Sequence, residues 1–223
     1  MQLKYNGDRA KWILLLFYIL LFITPVSAVF NYLEYALISG GGIYDEGAAV
    51  QNDARQGILG LVQLAHYIIT VVFFIMWFRR AYWNVHVISS NTQFTEGWAA
   101  GSWFVPFLNL VRPYQIMKEI WNETQQAIAP ARFKPDQLVG WWWATFLIGG
   151  ALDNIAARLT WRAQDLEQFE TAAAFMTISD LFSFIPLILI IILIRDIRSF
   201  EEELYREKRD MRIEDHLLDP DVV

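Results

Sequence analysis

The sequence predicts an all-α, polytopic membrane bundle of four transmembrane helices. An interfacial or re-entrant stretch and an amphipathic helix are expected between the second and third. Three observations lead there. The 223 residues are 55% hydrophobic, with a mean hydropathy of +0.28, and the apolar excess is concentrated in four blocks rather than spread as in a soluble domain. Fifteen of the 18 Lys and Arg residues fall on one side of those blocks. Nine of the ten Trp residues fall near the same side, where indole rings favour the headgroup level.

The elements follow in order. Residues 1–11 form a basic arm with Lys4, Arg9 and Lys11. Residues 12–37, WILLLFYILLFITPVSAVFNYLEYAL, are long enough to cross a hydrocarbon core as a helix. The Val26-Ser27-Ala28 end of the apolar core resembles a signal-peptide cleavage site. The apolar run continues through Val29, Phe30, Tyr32 and Leu33, so a retained first span is expected. An outer loop, residues 38–56, includes the flexible Ser39-Gly40-Gly41-Gly42. The second span is 57–78, followed by a cytoplasmic-side segment, 79–137. The third span is 138–160, a short acidic outer loop is 161–173, and the fourth span is 174–195. A charged tail, 196–223, continues the last span as a solvated helix and frays at Asp219-Pro220-Asp221. Pro25 and Pro186 are expected to kink the first and fourth spans. Only Arg55, Arg158 and Arg162 lie on the outer side, so both termini are expected in the cytoplasm.

Within the cytoplasmic segment lies GWAAGSWFVPFLNLVRPYQIMKEIW, Gly97 to Trp121. Its apolar part is too short to cross, and Pro106 interrupts a helix there, so residues 97–112 read as interfacial or re-entrant. Asn109 can satisfy freed backbone groups. Pro113 suits a first helical turn, and an amphipathic helix is expected over residues 113–128. Tyr114, Met117, Ile120, Trp121, Thr124 and Ile128 share its apolar face, while Lys118, Glu119, Asn122 and Gln125 fall opposite. Two placements stay open: apolar face down in the headgroup plane, or docked against the cytoplasmic ends of the bundle.

The fixed letters of this stretch carry a family resemblance. Gly97-Trp98, Trp103-Phe104-Val105-Pro106, Asn109-Leu110, Arg112-Pro113 and Glu119-Ile120-Trp121, set after the basic WFRRAYWN end of the second span, resemble the family called domain of unknown function 4328. The resemblance covers roughly residues 12–194 and leaves the charged tail unmatched. It implies a four-span protein of the bacterial inner membrane, and no activity, substrate or cofactor.

Ionisable groups at membrane depth are costly and point first to function. Glu34, His66, Asp153, Arg158 and Asp180, with Asn31, Gln63 and Asn154, all fall in the outer half of their spans. They read either as helix–helix hydrogen bonds and ion pairs, with Arg158 neutralising carboxylates, or as an outward-facing pocket or ion relay. A metal centre has no support from ligand spacing, since the one His and three carboxylates lie on four different spans.

No phosphate-binding loop, dinucleotide fingerprint, nucleophile elbow or zinc-protease signature is present, and no cofactor is expected. The absence of Cys excludes disulfides and thiolate chemistry, and the net charge of −6 argues against nucleic acid. The expected partners are the lipid bilayer, a cytoplasmic or membrane protein, and a second copy of the chain. A non-enzymatic structural or regulatory membrane component fits best. A small channel or transporter using the polar cluster is the alternative, and a membrane enzyme with intramembrane carboxylates is a third.

Overall fold

The computed structural model describes residues 2–39, 46–128 and 133–218. Gly40 to Gly42 of the glycine loop and the Asp219-Pro220-Asp221 terminus lie outside the described residues. Among those described, every regular element is helical. The helices are α1 (Gly7–Ser39), α2 (Glu46–Ile88), α3 (Trp98–Gly101), α4 (Arg112–Ile128), α5 (Gln137–Arg162) and α6 (Leu166–Leu218), with a 3-10 turn at Leu108–Leu110.

Three helices are long and apolar enough to cross a membrane: Gly7–Leu37, Val50–Ile88 and Leu166–Asp210. The stretch expected as a further span is α5, whose 26 residues extend about 39 Å at 1.5 Å per residue. It carries Trp, Gly, Asn, Asp and Arg among its apolar residues and is not one of the three. Between α5 and α6 the chain turns on Asp165, whose carboxylate accepts the backbone N–H of Gln168 at 2.9 Å. That bond caps the start of α6.

The chain divides into two compact units. One comprises Met1–Leu14, Val72–Gly140 and Ile191–Val223. It holds every one of the largest fully buried side chains, among them Trp77, Tyr82, Ile116, Trp121, Leu193 and Ile197. Each such burial contributes about 1.5–3 kcal/mol, so this unit has a packed apolar interior. Its N-terminal arm is held by backbone bonds to Asn84: the Lys4 N–H donates to Asn84 Oδ1, and Asn84 Nδ2 donates to the Lys4 carbonyl, both at 2.9 Å. Asn6 Nδ2 and Asn84 Nδ2 also donate to the buried Glu201 carboxylate, at 2.9 and 3.0 Å.

The other unit comprises Leu15–Val71 and Trp141–Ile190. It buries mainly small or modest side chains such as Ser27, Ala28, Ala156, Ala172, Ala173 and Ser179. Small residues permit close backbone approach where lipid, not water, surrounds the helices. Trp142, Trp143, Leu187 and Ile190 are buried too, but many of its large apolar side chains point outward: Phe22 is 73% exposed, Leu61 70% and Ile58 66%.

Two expectations need correction. Helix α4 is amphipathic, but Glu119 and Gln125, placed on its polar face by periodicity, are buried. Its apolar face is covered by protein, with Ile116, Met117 and Ile120 fully buried, so it docks within its own unit rather than lying bare on a surface. Trp77, Trp121, Trp142 and Trp143 are likewise buried, so the Trp-rich side is in part core rather than a collar of lipid-facing indoles.

Candidate functional site

In the unit of Leu15–Val71 and Trp141–Ile190, the expected polar cluster is partly assembled. Asn31 Nδ2 donates to Asp180 Oδ2 at 2.8 Å. Gln56 Nε2 donates to Glu34 Oε2 at 2.7 Å and reaches Asn31 Oδ1 at 3.3 Å. These bonds join α1, α2 and α6 through Glu34, Asn31, Gln56 and Asp180. The Ser179 hydroxyl donates to Asp153 Oδ1, which ties α5 to α6. About two turns of α2 further on, Gln63 Nε2 donates to the Ser27 hydroxyl.

Two expected members stand apart. Arg158 is exposed and makes no ion pair among the described residues, so it does not neutralise Glu34, Asp153 or Asp180. His66 has a buried Nε2 with no hydrogen-bond partner, and it does not join the carboxylates. No metal-binding group of His, Asp and Glu forms among the described residues. Gln56 is the member that sequence reading missed. It precedes the apolar window of the second span by one residue, and only three-dimensional proximity gives its amide a role.

The motif stretch builds a second arrangement, in the packed unit. The Arg112 guanidinium sits 4.0 Å from the Trp98 ring centre and 4.8 Å from that of Phe94. Trp103 meets Phe74 and Phe78 edge-on at 5.4 and 5.9 Å. Pro106, Phe107 and Leu108 form a tight turn in which the Leu108 N–H donates to the Pro106 carbonyl at 2.8 Å, with Phe107 at φ 63°. The Asn109 N–H donates to the Val105 carbonyl at 3.0 Å. Pro113 is buried in the first turn of α4. Trp121 Nε1 donates to the Lys134 carbonyl at 3.1 Å, and its ring meets Phe200 edge-on at 5.5 Å. Gly97 opens α3.

Glu119 completes the motif's chemistry. The Tyr82 hydroxyl donates to Glu119 Oε2 at 2.8 Å, and the Gln93 N–H reaches the same oxygen at 3.3 Å. Glu119 Oε1 is buried without a partner. Burial pushes the Glu119 carboxyl above its ordinary range, and the bonds from Tyr82 and Gln93 offset only part of that. Beside it, the two ring nitrogens of His86 face the carbonyls of Tyr82 and Phe94 at 2.9 and 3.0 Å.

These side chains hold backbone in place; none is arranged as a nucleophile with a base. No curated protein matches this chain, and no solved structure does. The family model described as a domain of unknown function (DUF4328) matches residues 42–199, from the start of α2 through the motif and into α6, and the chain belongs to that family.

Proposed function

We propose that this chain is a multi-pass protein of the bacterial cytoplasmic membrane. Four helices cross the bilayer, both termini are cytoplasmic, and the motif-bearing unit forms a cytoplasmic-side module. In this reading the protein is a non-enzymatic structural or regulatory component. The observation that carries it is the contrast between the two units. One holds all of the largest fully buried side chains, while the other leaves Phe22, Leu61, Ile58 and Tyr67 more than half exposed, an arrangement that an apolar solvent stabilises. Helix α5 joins the other three as a span because it too presents Trp141, Ile148 and Ile155 outward. The distribution of Lys and Arg supports the orientation. Phe104, Phe107, Leu110 and Val111 are exposed in the motif stretch, which supports an interfacial position for residues 97–112.

The lack of native Cys makes the test direct. Single cysteines are introduced at Gln164, Gln93 and Arg209, and intact cells are treated with a membrane-impermeant maleimide. Labelling of Gln164→Cys alone is expected. Labelling of Gln93→Cys from outside overturns the orientation.

The channel or transporter reading is weaker, because Asn31, Gln56 and Ser179 already occupy the carboxylates of the cluster. Complementation of a deletion strain separates the two. Under the structural reading, complementation by Asp180→Asn follows its cellular abundance. Full abundance with lost complementation moves the assignment to the channel.

A further inference from the structure

Outside the polar cluster and the motif, the packed unit carries an open cleft of about 250 Å³. We propose that this cleft, lined by Lys4, Arg9, Arg79, Arg80, Trp83 and Glu96, binds a phosphate group. The group is carried either by an anionic phospholipid headgroup or by a soluble phosphate compound.

Charge is the first argument. Four cations face one carboxylate, in a chain whose net charge is −6. Arg79 Nε pairs with Glu96 Oε1 at 2.9 Å, which accounts for the only acid lining the cleft. The guanidinium of Arg9 is repelled by both Arg80 and Arg79. Arg80 makes no hydrogen bond or ion pair among the described residues. The buried Glu201 feels Arg80 but spends both oxygens on Asn6 and Asn84, and Asp8 pairs with Lys11. At least two positive charges therefore stay uncompensated, and like charges gathered in one cleft destabilise each other until an anion binds.

The second argument is that these cations are held in place. Lys4 belongs to the arm fixed on both sides to Asn84, and its Nζ lies 3.7 Å from the Trp83 ring centre. Arg9 Nη1 donates to the Met76 carbonyl at 2.6 Å, which fixes one nitrogen and leaves the rest of the fork free. Side chains fixed before binding lose less entropy when the ligand arrives.

Size and geometry select the ligand class. The cleft is smaller than the ~300–1,000 Å³ typical of whole small-molecule sites, and fits a headgroup-sized anion. Planar guanidinium forks match phosphate oxygens two at a time, and a multiply charged anion answers several cations at once. The lipid source rests on the membrane-spanning reading proposed above. The charge argument does not.

The test uses the full chain purified in an uncharged detergent. It is titrated separately with a short-chain phosphatidylglycerol and with inorganic pyrophosphate, and binding is read by calorimetry. Saturable binding of at least one is expected, near one per chain. Arg80→Gln and Arg9→Gln should each weaken it by about tenfold, with Arg80→Lys retaining most of it. Lys4→Gln, on the exposed arm, serves as the variant least able to disturb folding, and circular dichroism checks each protein. Binding of the lipid alone assigns a headgroup site. Binding of pyrophosphate assigns a soluble phosphate compound, and it survives even if the maleimide test removes the bilayer. No saturable binding of either probe overturns the proposal, as does unchanged affinity in a folded Arg9→Gln/Arg80→Gln double variant.

Discussion

The guanidinium of Arg112 lies 4.0 Å from the centre of the Trp98 ring, and this contact joins the short helix α3 to the start of α4. Phe94 adds a second ring at 4.8 Å. Two letters of the family motif, fourteen residues apart in the chain, are therefore a cation and the aromatic face that holds it. A partly desolvated contact of this kind contributes about 1–2 kcal/mol. Arg112→Ala should lower stability to chemical denaturation in detergent by about that amount, and Arg112→Lys by less. Equal losses in both would mean that the planar fork does not matter.

Glu119 should give the packed unit a pH dependence of unusual sign. Burial raises its carboxyl above the ordinary 4.5, so the folded state holds this proton more tightly than the unfolded state does. Between 4.5 and the raised folded value, the folded chain carries more proton at this site and stability falls as pH rises. The stabilisation is full below the unfolded value and is lost once pH passes the folded one. In Glu119→Gln the contribution is absent. Thermal melts across mildly acidic to neutral pH should show a steeper decline in wild type than in the variant. A variant curve parallel to wild type would assign the dependence to other groups.

The sequence made the long helices legible because each is written around an unbroken apolar run. The motif was legible as letters but not as contacts. Periodicity put Glu119 and Gln125 on the solvent side of α4, because an isolated helix has only one partner face. In the structure α4 is surrounded on more of its circumference, and Tyr82 on α2 supplies the bond that lets a carboxyl be buried. Gln125 is buried for a similar reason: its Oε1 accepts the Lys134 N–H at 2.7 Å. The cleft of Lys4, Arg9, Arg79 and Arg80 was legible only as scattered basic residues, since nothing local in the arm announces that Asn84 will hold it.

Asn31 and Asp180 offer a direct measure of how much the polar cluster stabilises. Their bond spans 149 positions of chain and joins α1 to α6 at 2.8 Å. Interhelical hydrogen bonds in membranes average about 0.6 kcal/mol and reach about 1.7. A double-mutant cycle of Asn31→Ala and Asp180→Ala, read by unfolding in micelles, should return a coupling in that range. A coupling of zero would mean that the bond is incidental and would reopen the cluster as a site.

Phe107 combines two unfavourable features, and their combination is informative. Its φ of 63° closes the turn in which the Leu108 N–H donates to the Pro106 carbonyl, a positive-φ conformation that costs a residue with a Cβ about 1–2 kcal/mol. Its ring is also 83% exposed, an arrangement that burial in protein cannot explain. Insertion of the ring into the headgroup boundary would account for both, because the turn aims Phe107 outward beside Phe104 and Leu110, which are exposed too. Phe107→Gly and Phe107→Ala both remove the ring, but only Gly relieves the backbone. In micelles Phe107→Gly should therefore be more stable than Phe107→Ala by about 1–2 kcal/mol. A single cysteine at Phe104 should become more accessible to aqueous maleimide in reconstituted vesicles in both variants, because both lose the anchor. If accessibility at Phe104 is unchanged, the ring does not hold this segment at the membrane.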